Sequence, residues 1–253
     1  MLPTAELARH AGLSLQAYSR QVVKACFLDA TAPVSAWKAI HRRAGDIKRW
    51  LDAMPVARFR VESDGTDLEL ALGTKRRWAG ISGRNIPSFE LFVSPDWRGT
   101  RGVFYADQPS FRNGNIVRQV RLEFRNGRLA RADATEGADF LKKQLRLDPG
   151  ASRVGEFSLT DRRFSRIDRF MANTLFDENY GGTQGNCHIS LGSSYGNTYA
   201  GDPRRLKATL KDKLGFNDSA LHWDFVNTEK KRVTAILADG SQVVVYENGE
   251  FKR

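Results

Sequence analysis

Imidazole and carboxylate side chains are set into apolar, strand-like runs in the second half of the chain. His188 follows a loop rich in Gly, Asn and Thr and opens the apolar run Ile-Ser-Leu, which predicts the start of a buried strand. Asp224 lies two residues after His222, so on an extended segment both side chains project from the same face. Because a buried ionisable group must be paired or bound to a metal ion, this pattern restricts the fold more than any other feature of the sequence.

The His222–Asp224 pair places a neutral imidazole nitrogen beside a carboxylate oxygen, which is half of a zinc-type ligand set. A His-x-Asp pair without a metal ion is also common, on surfaces or behind a ligand shell. The pair alone therefore leaves both interpretations open.

Two further carboxylates interrupt apolar runs. Glu90 lies in Phe-Glu-Leu-Phe-Val, where it either faces solvent on an edge strand or is held inside, and the residues alone favour the exposed position. Glu156 follows Gly155, which allows a close backbone approach, and precedes Phe-Ser-Leu. With Glu178 as a further candidate, this mixture of groups suits a pair of zinc-like ions about 3.5–4 Å apart with bridging carboxylates.

The composition of the chain is that of an ordinary soluble protein, with 253 residues, 41% hydrophobic and 27% charged. No apolar run approaches the ~20 residues that a membrane-spanning helix needs, and the first residues do not have the pattern of an export signal. Cys26 and Cys187 cannot build a disulfide framework, and Cys187 is interpreted as a small buried residue. We therefore predict a cytoplasmic protein that does not bind membranes.

The net charge of +11 raises the alternative of nucleic-acid binding. Basic clusters such as Lys75–Arg77 are, however, spread over the whole chain, and no helix-turn-helix, zinc-finger or RNP-like pattern accompanies them. The sequence therefore argues against a nucleic-acid partner.

Hydrophobic periodicity predicts helices up to about residue 54 and alternating strands from residue 57. Ser14 is predicted to cap a helix that runs to about Leu28, and Ser35 a second one. Hairpins are predicted over 57–72, at Asn126-Gly127 and over 233–245, and helices over 137–145, 166–175 and 203–214. The predicted fold class is α+β, with an N-terminal helical segment followed by a mixed, largely antiparallel sheet with flanking helices.

Four segments in order resemble the M29 family of metallo-aminopeptidases of the AmpS/PepS type. They are I-P-S-F-E-L-F-V-S-P at 86–95, G-A-S-R-V-G-E-F-S-L at 150–159, T-L-F-D-E-N through C-H-I-S-L-G-S-S-Y at 174–195, and A-L-H-W-D-F-V at 220–226. Each segment alone is a weak signal, but their common order and separations are specific.

The resemblance implies metal ligation by five residues of this chain: Glu90, Glu156, His188, His222 and Asp224. They would hold two divalent ions, with zinc as the expected metal and cobalt or manganese as alternatives. Tyr195 matches the family's active-site tyrosine, a donor to the oxyanion, and Glu178 matches a glutamate that is either a ligand or the base that takes a proton from water.

The implied activity is hydrolytic removal of the first residue from peptides with a free N-terminus, by water that the two ions activate, in a homodimer. Family members carry a further α/β domain before the matching region, so we expect either a naturally short relative or a catalytic part. The expected organisation is one catalytic domain, 1–253, with a helical lead-in at 1–55 and a metal-site core at 56–253. The alternatives are a relative specialised for another substrate or reaction, such as processing of a peptide natural product, and a non-catalytic basic binding protein.

Overall fold

The computed structural model describes residues 2–253, which begin with three helices: α1 (Ala5–His10), α2 (Leu15–Ala25) and α3 (Pro33–Ala53). The predicted cap of α2 is confirmed, because the Ser14 side chain accepts a hydrogen bond from the Ala17 N–H at 3.2 Å. The predicted Ser35 cap is wrong. Helix α3 starts at Pro33, whose fixed φ and missing N–H suit the first turn of a helix.

The remaining elements are strands with three short helices between them. The strands are β1 (Val56–Glu62), β2 (Asp67–Ala71), β3 (Glu90–Val93), β4 (Asp96–Ala106), β5 (Ser110–Arg112), β6 (Asn115–Val117), β7 (Val120–Arg125), β8 (Arg128–Asp133), β9 (Val154–Thr160), β10 (Asn186–Gly192), β11 (His222–Asn227), β12 (Arg232–Leu237), β13 (Gln242–Glu247) and β14 (Glu250–Phe251). The helices are α4 (Ala138–Gln144), α5 (Thr174–Asp177) and α6 (Ala208–Leu214).

The strands form three sheets. An eight-stranded sheet has the order β14-β13-β12-β1-β2-β4-β7-β8, a four-stranded sheet has the order β11-β10-β9-β3, and β5 pairs with β6 alone. Every strand pair among the described residues is antiparallel. The predicted α+β class is confirmed.

The predicted hairpins are confirmed, and their turns explain them. Asn126 and Gly127 have φ values of 50° and 75°, the left-handed pair that a type I′ turn between β7 and β8 requires. Likewise, β1 pairs with β2, and β12 pairs with β13 across the turn at Gly240.

The predicted helix over 166–175 is wrong, since within this range only Thr174 and Leu175 are helical, as the start of α5. Tertiary contacts hold this segment in an irregular path. The Asp177 carboxylate accepts hydrogen bonds from the backbone N–H groups of Met171 and Asn173 at 2.6 and 2.8 Å, and the Ser165 hydroxyl donates to the Asn179 carbonyl. The predicted helix over 203–214 divides into a 3-10 turn, Pro203–Arg205, and α6.

The core lies where the four-stranded sheet packs on the eight-stranded sheet. Phe157 of β9 lies 5.5 Å from Phe59 and 6.1 Å from Trp78, ring centre to ring centre. Cys187 is fully buried in the same core, as predicted. The opposite face of β9 and β10 is therefore available for polar side chains.

Candidate metal centre

Alternate residues of β9 and β10 build one face of the site. Glu156 and Ser158 project from β9 on the same side as His188 and Ser190 of β10, because side chains of a strand alternate. The register places Ser190 opposite Glu156 on one neighbouring strand and opposite Asp224 on the other. Gly155 permits this approach, since a Cβ there would lie 2.3 Å from the Gly192 carbonyl oxygen.

The first group of candidate ligands consists of Glu90, Glu156 and His188. His188 Nε2 lies 3.2 Å from Glu90 Oε2 and 3.5 Å from Glu156 Oε1, and the three side chains are 1%, 13% and 3% exposed for His188, Glu90 and Glu156. The solvent-facing position that the local residues favoured for Glu90 is therefore wrong. Although β3 is an edge strand, its glutamate points into the site.

The second group consists of Glu156, His222 and Asp224. His222 Nε2 lies 3.3 Å from Glu156 Oε2 and 3.5 Å from Asp224 Oδ1. In each group, one ligand atom from every residue lies within 4.8 Å of the others. Glu156 contributes one carboxylate oxygen to each group, so the two groups are joined through a single side chain.

Hydrogen bonds to Nδ1 orient both imidazoles. His222 Nδ1 lies 2.9 Å from the Ser193 carbonyl oxygen, which can only accept a hydrogen bond, so Nδ1 carries a hydrogen and Nε2 faces the carboxylates. His188 Nδ1 lies 3.4 Å from Asn186 Oδ1. This arrangement is typical of metal-binding histidines, whose second nitrogen donates to a carbonyl oxygen.

Two serines contact the candidate carboxylates, and sequence reasoning missed both. The Ser158 hydroxyl donates to Glu90 Oε2 at 2.9 Å, and the Ser190 hydroxyl donates to Asp224 Oδ1. The signal that could have found them is their position two residues after Glu156 and His188, which puts them on the site face of the same strands.

The imidazoles and the shared carboxylate stabilise one another's charge. Burial disfavours the charged His188, but Glu156 and Glu90 outweigh it and raise the pKa of His188 well above its usual value. Against the same effect of burial, Glu156 and Asp224 raise the pKa of His222 to about 9. Although burial raises the pKa of Glu156, the two neighbouring histidines lower it to about 2.

Two further carboxyl groups, those of Glu90 and Glu178, have raised pKa values. Burial and the charge of Glu156 raise the pKa of Glu90. Glu178 lies near the same groups, and burial together with Glu90 and Asp224 raises its pKa well above its usual value. The site thus gathers more negative charge than its two imidazoles neutralise, and a bound cation would relieve that excess.

Tyr195 lies at the solvent-exposed mouth of the site. Its ring centre is 4.6 Å from that of His222 and 5.3 Å from that of Phe92, and the residue is 43% exposed. Its backbone N–H donates to Ser94 Oγ at 2.8 Å. The structure thus brings all seven sequence-predicted site residues to one face of the four-stranded sheet or its rim.

The side chains fit divalent cations. His188 Nε2 is buried and, among residues 2–253, has no hydrogen-bond partner, although two carboxylates lie near it. Mixed imidazole and carboxylate donors are those that zinc and neighbouring divalent ions take. A buried ring nitrogen without a hydrogen-bond partner, aimed at a cluster of carboxylate oxygens, is the arrangement expected of a ligand atom.

The model of the family of thermophilic metalloproteases, M29, matches residues 1–251 of this chain. Aminopeptidase AmpS of Bacillus subtilis (strain 168) is 30% identical over 243 residues, which are 91% of this chain and 58% of that protein. Aminopeptidase T of Thermus aquaticus is 27% identical over 250 residues, with coverages of 94% and 59%. The chain thus spans less than two thirds of the length of these relatives.

Solved structures are also similar to this chain. The structure of wild-type AmpT from Thermus thermophilus superposes with a TM-score of 0.80 at 25% identity and covers 94% of this chain and 59% of that one. A 2,5-dihydroxypyridine dioxygenase from Pseudomonas putida KT2440 shares the fold alone, with a TM-score of 0.51 at 12% identity, 99% coverage of this chain and 69% of that one. Together with the ligand geometry, the match over residues 1–251 establishes that this chain belongs to the M29 family of thermophilic metalloproteases.

Proposed function

We propose that the chain is a metal-dependent aminopeptidase that binds two divalent ions at the site face of its four-stranded sheet. The observation that carries this proposal is the shared carboxylate: Glu156 lies 3.5 Å from His188 Nε2 and 3.3 Å from His222 Nε2 through its two different oxygens. A carboxylate placed between two imidazole-containing groups is what a pair of neighbouring ions requires.

Glu90, Glu156 and His188 would hold one ion, and Glu156, His222 and Asp224 the other. Bound divalent ions would supply Lewis acidity, which lowers the pKa of water and polarises the scissile carbonyl group. Zinc fits this donor set, and cobalt or manganese are the alternatives to test. Ser158 and Ser190 would hold Glu90 and Asp224 in their orientations by the hydrogen bonds described above.

Glu178 and Tyr195 would carry the proton transfer and the oxyanion contact. Glu178 is acidic and half-buried near the ligand groups, and its raised pKa suits a group that accepts a proton from water and passes it to the leaving amine. Burial and the charge of Glu156 raise the pKa of Tyr195, so its hydroxyl stays protonated and can donate to the tetrahedral oxyanion.

Peptides with a free N-terminus are the proposed substrates, since the relatives that this chain matches are named aminopeptidases. A homodimer and a cytoplasmic location stay predictions. None of the helices in residues 2–253 combines the length and apolarity needed to cross a bilayer.

Release of free amino acids from a panel of unblocked and N-acetylated peptides tests the proposal. The protein is stripped with a chelator and reloaded with zinc, cobalt or manganese. We expect turnover of unblocked peptides only, and its loss in His188→Ala, with Arg60→Ala on the eight-stranded sheet as an unaffected control.

Two other results separate the alternatives. If no peptide of the panel is hydrolysed although two ions are bound per chain, the aminopeptidase proposal is contradicted. That result supports a relative with a different substrate or reaction. If no peptide is hydrolysed and no ion is bound, the proposal of a metal-dependent enzyme is contradicted.

A further inference from the structure

The outer edge of β11 is capped by the segment that follows β4. Strand β11 ends the four-stranded sheet, with β10 on its inner side. Three alternate carbonyl oxygens on its outer side accept hydrogen bonds: Val226 from the Gln108 N–H at 3.3 Å, Asp224 from the Ser110 hydroxyl at 3.1 Å, and His222 from the Arg112 guanidinium at 2.8 Å. Two of these three carbonyls belong to candidate metal ligands.

The spacing of these contacts is that of an antiparallel strand pair, because each step of two residues forward in 108–112 matches two residues backward in β11. Only Gln108, however, uses its backbone N–H. At Ser110 and Arg112 the side chains replace the backbone as donors, so β5 lies outside backbone hydrogen-bonding distance. On its outer side, β11 is therefore held at His222 and Asp224 by two particular side chains.

Ser110 and Arg112 also contact the side chain of Trp223, which lies on β11. Its indole N–H donates to Ser110 Oγ at 2.7 Å, and the Arg112 guanidinium lies 5.7 Å from its ring centre. Trp223 stands between His222 and Asp224 in sequence and points to the opposite face, so fixing its ring fixes the faces of both neighbours.

The guanidinium of Arg112 contacts two residues of β11, His222 and Trp223. Arg112 is half-buried, and its Nε has no hydrogen-bond partner among the described residues. Burial lowers the pKa of Arg112, and the charge of Asp224 acts in the opposite direction. No carboxylate forms an ion pair with it among residues 2–253. A fixed cation beside the strand that carries two ligands offsets part of the negative charge gathered there.

We propose that Ser110 and Arg112 are positioning residues for the second ligand group (Glu156, His222 and Asp224) and set the affinity of the ion bound there. This inference rests on the proposed two-ion site. The first group (Glu90, Glu156 and His188) lies on β3, β9 and β10, which 108–112 does not cap, so its ion depends much less on these side chains.

Zinc titration of the stripped full chain against a chromophoric chelator tests the inference in the wild type, Arg112→Met, Arg112→Lys and Ser110→Ala. We expect Arg112→Met to weaken one of two zinc ions by about 10- to 100-fold and the other by less than about threefold. Arg112→Lys should recover part of the loss, because lysine keeps the charge and a donor but not the planar fork.

Arg121→Met is the matched control. Arg121 also donates a guanidinium hydrogen bond to a backbone carbonyl, that of Gly65 at 3.3 Å, but on the exposed eight-stranded sheet. Its zinc affinities should equal those of the wild type.

Amide hydrogen exchange of the metal-free proteins gives a readout that does not need the ions. We expect the amides of 222–227 to exchange faster in Arg112→Met than in the wild type, with those of β9 unchanged. If Arg112→Met does not fold, the zinc titration and the hydrogen exchange are measured on Ser110→Ala instead, which removes only one hydroxyl group.

The possible failures are distinguishable. A wild type that binds no zinc overturns the proposed function and the positioning role with it. Two ions in the wild type with unchanged affinities in Arg112→Met overturn the positioning role alone, and so does equal weakening of both ions, which indicates general destabilisation.

Discussion

In both large sheets, polar side chains alternate with apolar ones along the strands. Their polar faces differ, because one is exposed to solvent and the other is buried. On the eight-stranded sheet the polar face is solvated, and its charges pair across strands, as in Arg60–Asp67 at 3.0 Å and Arg101–Glu69 at 2.6 Å. On the four-stranded sheet, every residue of β9 and β10 is buried, including the polar ones. A solvated polar row needs no particular partner, whereas a buried one is tolerated only where the groups satisfy one another or bind an ion.

Part of the chain's basic charge has a structural use inside the fold. Arg76, within the cluster Lys75–Arg77, is used internally. It donates to the Ser94 and Leu214 carbonyls at 2.6 and 2.7 Å and stacks on Phe216 at 3.6 Å. Other arginines form surface ion pairs, such as Arg118 with Glu136 at 2.7 Å.

The largest effect is expected at the residue common to both ligand groups. Loss of a single hydrogen-bond donor to the oxyanion typically lowers turnover by about 10²–10³-fold. Glu156→Ala should reduce aminopeptidase activity by more than this, because it removes a ligand of both proposed ions. Steady-state kinetics and metal analysis of the purified variant measure this. Retention of two ions with wild-type turnover would show that Glu156 is not a ligand.

Zinc should stabilise the folded chain through the four-stranded sheet. At a free concentration about 1000-fold above its Kd, a ligand of the folded state adds about 4 kcal/mol to the free energy of unfolding. Urea denaturation with and without zinc measures the difference. The difference should shrink in His188→Ala, which loses a ligand of the first group, and stay unchanged in Arg101→Ala. The reverse result would contradict a metal site on the four-stranded sheet.

The metal-free protein should lose stability as the pH rises. The pKa of His222 is raised from 6.5 to about 9, so its stabilising charge is fully present below pH 6.5 and is lost as the pH rises to about 9. We expect the free energy of unfolding to fall by about 1–3 kcal/mol over this window. Urea titrations at several pH values measure it, and an unchanged slope in His222→Gln would assign the effect to other groups.

The smallest effect is expected on the eight-stranded sheet. Arg101→Ala breaks the ion pair with Glu69 and should cost less than about 1 kcal/mol, since solvent screens exposed pairs. Zinc affinity and turnover should stay at wild-type values. A larger loss, in stability or activity, would remove the contrast between the two sheets.

The sequence by itself determined the local structure wherever short-range physics decides. The Asn126-Gly127 turn, the Ser14 cap and the strand alternation follow from dihedral preferences, capping hydrogen bonds and side-chain direction, and the structure has all three. The residue types also indicated metal chemistry, because imidazoles and carboxylates in apolar strands require partners.

Only the tertiary structure decided which way Glu90 faces, that 166–173 is not helical, and that Ser158 and Ser190 contact the candidate ligands. It also joined Ser110 and Arg112 to β11 across more than a hundred residues of chain. These features depend on partners that are distant in sequence, and the energy of a buried polar group is set by those partners rather than by its neighbours along the chain.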